Sequence, residues 1–589
     1  MTSLSRKRKQ KNKPTFSTVD IYEGIYRNLV LDLTAPNTRE REFGLAKLVN
    51  HRIQPKTSYR GGGHIIFKRF AQLEHFHKRL IMPGDPGHDE LARKCFAEFD
   101  ASQQFSTLID RSMYPLFSRA REIVESVLGE FSYDTLAKNC NFAKKAALGL
   151  SRRNSYLDKR IENLNGTLEQ LALFNEIRRR DVHLLRATRR HVSCVSLVKS
   201  IKMDAVPKSY KATRIIGPDT TIGGFLSKGL GRYIRTRVEA NTHIDLALQQ
   251  ERHKVWARNS SRSGLSATID MSKASDSFTR QHLRMLLPPE WFAVADVCSM
   301  KEYVTPYCSD PKPLASVMLM GSGHTFPLQT LLFYALAQAA SDLAQIRGLV
   351  SVYGDDIIIP NRLAPIFIWA MTKSGFSVNA EKSFWSSDHL HVEKFRESCG
   401  GDFYDGHPVR PWMPECETGP VTKASYIAEL HKAINGLCSR YEPVEIENTL
   451  QWLFETLEEV CIPSFVPDTE TETSGIRLML LPWAFQNMYV ADFNLPYTVD
   501  GVQQYVALRP VTRNRLSDGR IYYWNWLQQN ALPGSEKLSY YAARFQNEPV
   551  ALWVNTHAPE EPVQKPFRRE AKRGEKVRYR WVSPPKKRE

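Results

Sequence analysis

The sequence contains no Cys-x-x-Cys pair. Its nine cysteines (Cys95, Cys140, Cys194, Cys298, Cys308, Cys399, Cys416, Cys438 and Cys461) are odd in number and widely scattered. That pattern argues for reduced thiols in a cytosol and against zinc or a disulfide framework. No apolar stretch follows the basic start Ser5-Arg6-Lys7-Arg8-Lys9-Gln10-Lys11-Asn12-Lys13, so no signal peptide is expected. The longest apolar run, Leu328 to Ala340, is too short for a membrane span and is interrupted by Gln329 and Gln338, so no membrane is expected as a partner. No internal repeat is evident, nor any helicase, capping or protease motif. Acid is in the minority, with 63 Asp and Glu against 81 Lys and Arg. The formal charge of +18 and a sequence pI near 9.4 predict attraction to a polyanion, most simply nucleic acid, through phosphate contacts that weaken with salt. A composition of 42% hydrophobic and 24% charged residues in 589 is that of a globular chain with more than one core.

Five stretches differ in texture. Residues 1–17 form a basic arm. Residues 18–265 begin mostly helical, with apolar positions at helical spacing in Leu108 to Leu128 and Leu164 to Leu185. Basic clusters recur there at Lys144-Lys145, Arg152-Arg153, Lys159-Arg160, Arg178-Arg179-Arg180 and Arg189-Arg190. Any one of them reads as a solvated helix face, whereas their repetition favours a surface that tracks a phosphate backbone. From about Val206 to Gly406 short strands alternate with helices, an α+β pattern, and 266–406 holds its densest part. Here Ser266 to Met271 reads as a strand and Ser277 to Leu287 as a helix. Thr325 to Leu343 reads as a buried helix, Leu363 to Lys373 as another, and Lys394 to Gly406 as a hairpin. Residues 407–562 are helical over Ala424 to Tyr441 and Val444 to Val460, then irregular; 563–589 read as a basic tail expected to be disordered.

The chemistry concentrates at Tyr353-Gly354-Asp355-Asp356, set between Leu349-Val350-Ser351-Val352 and Ile357-Ile358-Ile359. Two acids at the tip of an apolar hairpin are costly to bury unless something cationic neutralises them, and a pair of Mg²⁺ ions does so. Nucleotidyl transfer uses two such ions about 3.5–4 Å apart, held by carboxylates from more than one strand. Asp270 ends the apolar strand Ala267-Thr268-Ile269 and is the obvious partner of Asp355, with the backbone carbonyl of Met271 as a further ligand. Asp270 also reads as a helix N-cap, a role that Ser272 or Ser275 would fill equally well.

Asp270-Met271-Ser272-Lys273-Ala274-Ser275-Asp276-Ser277 resembles the first palm motif of RNA-dependent RNA polymerases, and its wording is particularly similar to the replicases of small positive-strand RNA bacteriophages, the levivirus group. Other segments agree in order: Met320-Gly321-Ser322-Gly323-His324-Thr325-Phe326 looks like their Gly-rich loop, Tyr353 to Ile358 like their third motif, and Phe395-Arg396-Glu397-Ser398-Cys399-Gly400 like their primer-gripping hairpin. Val206-Pro207-Lys208-Ser209-Tyr210-Lys211-Ala212-Thr213-Arg214 has the spacing of the motif that admits the nucleotide. The resemblance covers roughly Val206 to Gly406.

It implies a right-hand polymerase with fingers, thumb and a palm made of a small antiparallel sheet backed by helices. Asp270, Met271 and Asp355 would hold two Mg²⁺, for which Mn²⁺ substitutes, and Asp356 would help to position one. Asp276 would read the ribose 2′-hydroxyl; its plain alternative is a surface acid at a helix start. Lys208, Lys211 and Arg214 would neutralise the triphosphate of the ribonucleotide, so loss of Arg214 should cost turnover more than template binding. Gly321 and Gly323 would let backbone approach template or ribose. Ser322 stands where the family usually has Asn and would contact the 2′-hydroxyl, a shorter reach that could need a water. Lys382 matches a lysine that protonates departing pyrophosphate, its alternative being a surface ion pair with Glu381 or Asp388. The implied partners are single-stranded RNA template, nascent RNA, host elongation factors Tu and Ts and a small-subunit ribosomal protein. The implied place is the cytoplasm of an infected bacterial host, with initiation without a primer at the template 3′ end. A reverse transcriptase is disfavoured by Gly354 and Asp276. An inactive RNA-binding assembly or packaging protein would leave Asp270, Asp355 and Asp356 without a purpose.

Overall fold

The computed structural model describes residues 16–33, 63–79, 87–104, 109–143, 145–151, 157–209, 212–386, 393–414 and 420–461, with short pieces at 465–466, 472–473, 475–477, 502–509 and 577–585. The chain divides into two units: the described residues of Met1–Asp85, Val409–Arg515 and Ala571–Glu589 form one, and those of Pro86–Pro408 the other. The boundary near residue 408 falls where the texture changes. The N-terminal helix, however, belongs with the C-terminal helices rather than with residues up to 265.

In the first unit, helices Thr18–Leu33, Gly63–Arg79, Lys423–Cys438 and Glu447–Val460 share one apolar core that includes Ile21, Ile25, Leu29, Leu430, Ile434, Leu450 and Leu453. The reason is specific as well as hydrophobic. Asp32 accepts from the Asn448 amide at 3.1 Å and the Thr449 amide at 2.8 Å, and so caps the free N–H groups that open the Glu447–Val460 helix from far away in the chain. The buried Tyr22 hydroxyl donates to Glu429 at 2.7 Å. Strands Val502–Arg509 and Val577–Pro585 pair antiparallel. Within the expected tail, residues 577–585 are therefore a strand: Val577, Tyr579 and Trp581 alternate with Arg578 and Arg580, the period of a sheet. Residues 563–576 and 586–589 lie outside the described residues.

The second unit holds a four-stranded antiparallel sheet in the order Ser351–Tyr353, Asp356–Pro360, Ser266–Ser272, Ser377–Val378. Its inner strands are apolar on both faces: Ala267, Ile269, Ile357, Ile358 and Ile359 are all buried, as befits strands covered above and below. The helix Thr325–Leu343 occupies the expected span and is apolar nearly all round, with Leu328, Leu331, Leu332, Phe333 and Leu336 fully buried. It packs against helices Tyr114–Leu128 and Thr221–Asn241. The expected helix over Ser277 to Leu287 is instead two pieces, Ala274–Ser277 and Arg280–Leu286. Thr279 and His282 form a capping box that restarts the helix, leaving buried Phe278 extended between them. Cys95, Cys194, Cys298, Cys308, Cys399 and Cys438 are free thiols, and Cys416 lies outside the described residues. Among the described residues no helix is long and apolar enough to cross a membrane.

Candidate active site

The hairpin turn forms where the sequence permits it. Gly354 has φ +65°, and a Cβ there would sit 2.8 Å from the Phe326 ring, so both conformation and space call for glycine. Its N–H donates to Thr330 Oγ1 at 3.0 Å, which anchors the turn to the buried helix. Antiparallel register then sets Asp356 directly opposite Asp270. The Met271 amide donates to the carbonyl of Asp355 at 3.3 Å, so the end of the central strand is tied to the turn. Asp270, Met271, Asp355 and Asp356, chosen from segments far apart in sequence, meet at one end of one sheet.

The helix-cap alternative for Asp270 does not hold. The short helix is preceded by Lys273 at φ +48° without any side-chain cap, so Ser272 and Ser275 do not cap it either. Asp270 is held from the next strand: Asn379 donates through its amide nitrogen to the Asp270 carbonyl at 2.8 Å and through Nδ2 to Oδ2 at 2.7 Å. The Asp270 N–H donates to Ser383 Oγ at 3.0 Å. Nothing in the pattern around Asn379 marked it in advance.

The acids are short of countercharge. Burial raises Asp270 above the usual carboxylate range, against Lys382 and with the help of Asp355. Burial and the neighbouring Asp355 push Asp356 up to about 7, although the Cys399 backbone N–H works the other way. A divalent cation would relieve this strain, and the oxygen donors suit Mg²⁺ or Mn²⁺. Among the described residues no group of three or more His, Cys, Asp or Glu forms a cage able to hold a metal by itself. Mg²⁺ bound through one or two carboxylates, waters and substrate phosphates needs no such cage. The residues fit the ion on those terms.

Cations line the same place. Lys208 and Arg214 sit on the paired strands Asp204–Ser209 and Ala212–Ile216; Lys211 lies outside the described residues. Partial desolvation, then Arg214 and Lys382, lower Lys208, while Asp270 and Asp355 act oppositely, which locates this lysine within electrostatic reach of both acids. Lys382 is close to Glu397 at 3.7 Å, a partner the sequence did not suggest; Asp388 lies outside the described residues. Partial desolvation lowers Lys382, but Glu397, Asp270, Asp356 and Asp355 together raise it. Glu397 was not singled out from sequence. It lies on the hairpin Phe395–Ser398 and Gly401–Tyr404. The fully buried Arg396 fastens that hairpin to the central strand by donating to the Ser266 carbonyl at 2.9 Å.

Asp276 sits beyond the strand, half-buried, with Ser275 Oγ 3.4 Å from its Oδ1. Burial raises it to about 6, against Ser275 and Lys273. Gly321 adopts φ +109°, open to most residues only at a cost. Gly323 differs: a Cβ there would fall 2.7 Å from Lys228 backbone atoms, so the close approach it permits is to the helix Thr221–Asn241 of this same chain. The basic surface also needs amendment. Arg179, Arg180, Arg189 and Arg190 are exposed, but Arg160 is buried and donates to the Lys145 carbonyl. Its guanidinium serves the fold, and Lys144, Arg152 and Arg153 lie outside the described residues.

A small antiparallel sheet with acids converging at its strand ends and cations facing them is the construction of a polymerase palm. The chain belongs to the family described as RNA replicase, beta-chain, which matches residues 94–416. It is 30% identical over 297 residues to the RNA-directed RNA polymerase beta chain of Enterobacteria phage fr, covering 50% of this chain and 52% of that one. It is 35% identical over 216 residues to the RNA-directed RNA polymerase subunit beta of Enterobacteria phage SP, covering 36% of each. It is 34% identical over 207 residues to the RNA-directed RNA polymerase beta chain of Escherichia phage MS2, covering 35% of this chain and 36% of that one. The match spans about half, or less, of the length of these relatives. Among solved structures, the RNA-dependent RNA polymerase of a human picorbirnavirus aligns with TM-score 0.30 and 13% identity over 44% of this chain and 55% of that one.

Proposed function

We propose that this chain is an RNA-directed RNA polymerase that copies the genome of a positive-strand RNA phage, starting without a primer at the template 3′ end. The observation that carries the reading is the register that places Asp270 opposite Asp356, with Asp355 at the intervening turn. Asp270, Asp355 and the Met271 carbonyl are the groups that would hold two Mg²⁺, with Asp356 positioning one. Bound there, the ions supply activation of the 3′-hydroxyl and charge stabilisation of the triphosphate.

The chain's own residues do the rest. Lys208 and Arg214, with Lys211, neutralise a triphosphate of about four negative charges, and fixed charge of this kind is the leading contribution in phosphoryl transfer. Asp276 accepts a hydrogen bond from the ribose 2′-hydroxyl. Lys382, kept protonated by the surrounding carboxylates, gives a proton to departing pyrophosphate. Lys382→Ala should slow the chemical step by about 10²-fold or more while nucleotide binding stays nearly intact. Single-turnover rates equal to wild type would remove this role.

Family resemblance supports single-stranded RNA and ribonucleoside triphosphates as substrates. It also supports host elongation factors Tu and Ts and a small-subunit ribosomal protein as partners in the cytoplasm of an infected bacterium. Copurification from infected cells, with identification of bound polypeptides and RNA, tests the partners. A template-only and a primed assay with ribonucleotides and Mg²⁺ test the reaction. Preference for deoxynucleotides would favour a reverse transcriptase, and no incorporation an assembly protein.

A further inference from the structure

Beneath the Gly-rich loop lies a buried polar network that the polymerase chemistry does not use. Lys145 Nζ reaches Asp219 Oδ2 at 3.0 Å and also donates to the Gly321 carbonyl. Asp219 is buried and accepts from Ser227 Oγ at 3.2 Å. Ser227 Oγ in turn accepts from the Gly323 N–H at 3.2 Å. Gly321 and Gly323 are thus held from one ion pair, the first directly and the second through Ser227.

The Ser322 Oγ lies 3.2 Å from Nδ1 of the buried His324, and its dipole also favours the charged form of Asp219. That hydroxyl faces inward. The loop also has nowhere to go on its inner side, since a Cβ at Gly231 would stand 2.2 Å from the Gly323 carbonyl oxygen. Removing Lys145 would leave a buried, uncompensated carboxylate and a loop carbonyl without its donor.

We propose that Lys145 and Asp219 are positioning residues that latch the Gly321–His324 loop with the Ser322 hydroxyl turned into the protein, so that this loop places the incoming ribonucleotide while Asp276 reads its 2′-hydroxyl. The proposal rests on the polymerase reading above. It departs from the expectation that Ser322 contacts the ribose.

The full chain with its copurifying partners, a primed RNA hairpin, and ATP or 2′-deoxyATP provide the test. Lys145→Met should lower kcat by about 10- to 100-fold with KM for ATP little changed, because the loss is one of placement. Lys145→Arg should restore most of it. Adding Asp219→Asn to Lys145→Met removes the stranded carboxylate, so thermal stability recovers while kcat stays low. Ser322→Ala should keep the preference for ATP over 2′-deoxyATP within about twofold, the size of an uncoupled effect, whereas Asp276→Asn loses it. The latch is overturned if Ser322→Ala loses that preference as Asp276→Asn does, or if kcat in the double variant recovers with stability. Should wild type incorporate no nucleotide, the polymerase reading fails separately. The latch is then judged on stability alone, where strictly additive effects of the two substitutions overturn it and rescue of one by the other sustains it.

Discussion

Asp355→Asn is expected to abolish RNA synthesis, by about 10³-fold or more, while leaving the fold as firm as before or firmer. The two effects have one cause. Asp355 is exposed at the hairpin turn and contributes no packing, but its charge helps to push Asp356 up to about 7 and also raises Asp270. Replacing it by an isosteric neutral amide relieves that repulsion and removes a hard oxygen ligand. Wild type should gain thermal stability when Mg²⁺ is added without template or nucleotide, because an ion that binds only the folded state stabilises it. The variant should show little of that gain. Scanning calorimetry with and without Mg²⁺, beside an incorporation assay, checks both. An equal Mg²⁺ response in the two proteins, or undiminished synthesis, would sink the metal assignment.

Asp276→Asn is expected to reduce the preference for ribonucleotides over deoxyribonucleotides by about 10- to 100-fold, the difference made by a hydrogen bond to a charged acceptor. The same side chain should leave a mark in stability. Its folded-state value of about 6 lies above that of an unfolded aspartate, near 3.8. Between those values the folded chain binds more protons than the unfolded one, so the Asp276 contribution to stability is full at low pH and is lost as pH rises towards 6. Asp276→Asn should flatten that part of the profile. In the wild type the ribose preference should strengthen as pH rises through about 6, when the carboxyl becomes a charged acceptor. A preference independent of pH from 5 to 7, or an unchanged stability slope in the variant, would count against this role.

Elements with a strong periodic signal were legible in the sequence. The helix Thr325–Leu343 is apolar nearly all round, the strand around Asp270 announces itself by a short apolar run, and the hairpin Phe395–Tyr404 by the turn glycines Gly400-Gly401. The acids were legible because ordered motifs carry them. What escaped was whatever depends on a single polar contact across a long stretch of chain. Asn379 meets Asp270 from 109 residues away, and Lys145 meets Gly321 from 176. Neither has a pattern of its own. Arg160 looked like one more surface cation because a charge in a basic run gives no hint that a carbonyl awaits it inside. The N-terminal helix joins the C-terminal ones through Asp32, a cap whose recipient lies more than 400 residues on.

The double grip of Asn379 on Asp270 has a mechanical consequence. Lys382 stands three positions beyond Asn379, with its own N–H donating to the Asn379 carbonyl at 3.1 Å. The group assigned to the leaving pyrophosphate and the group assigned to the metals are therefore joined through the Asn379 backbone, and its side chain adds the one bond that reaches the Asp270 carboxylate itself. Replacing Asn379 by alanine would keep both backbone links and free only the carboxylate, so the acid could swivel while its strand stays moored to Lys382.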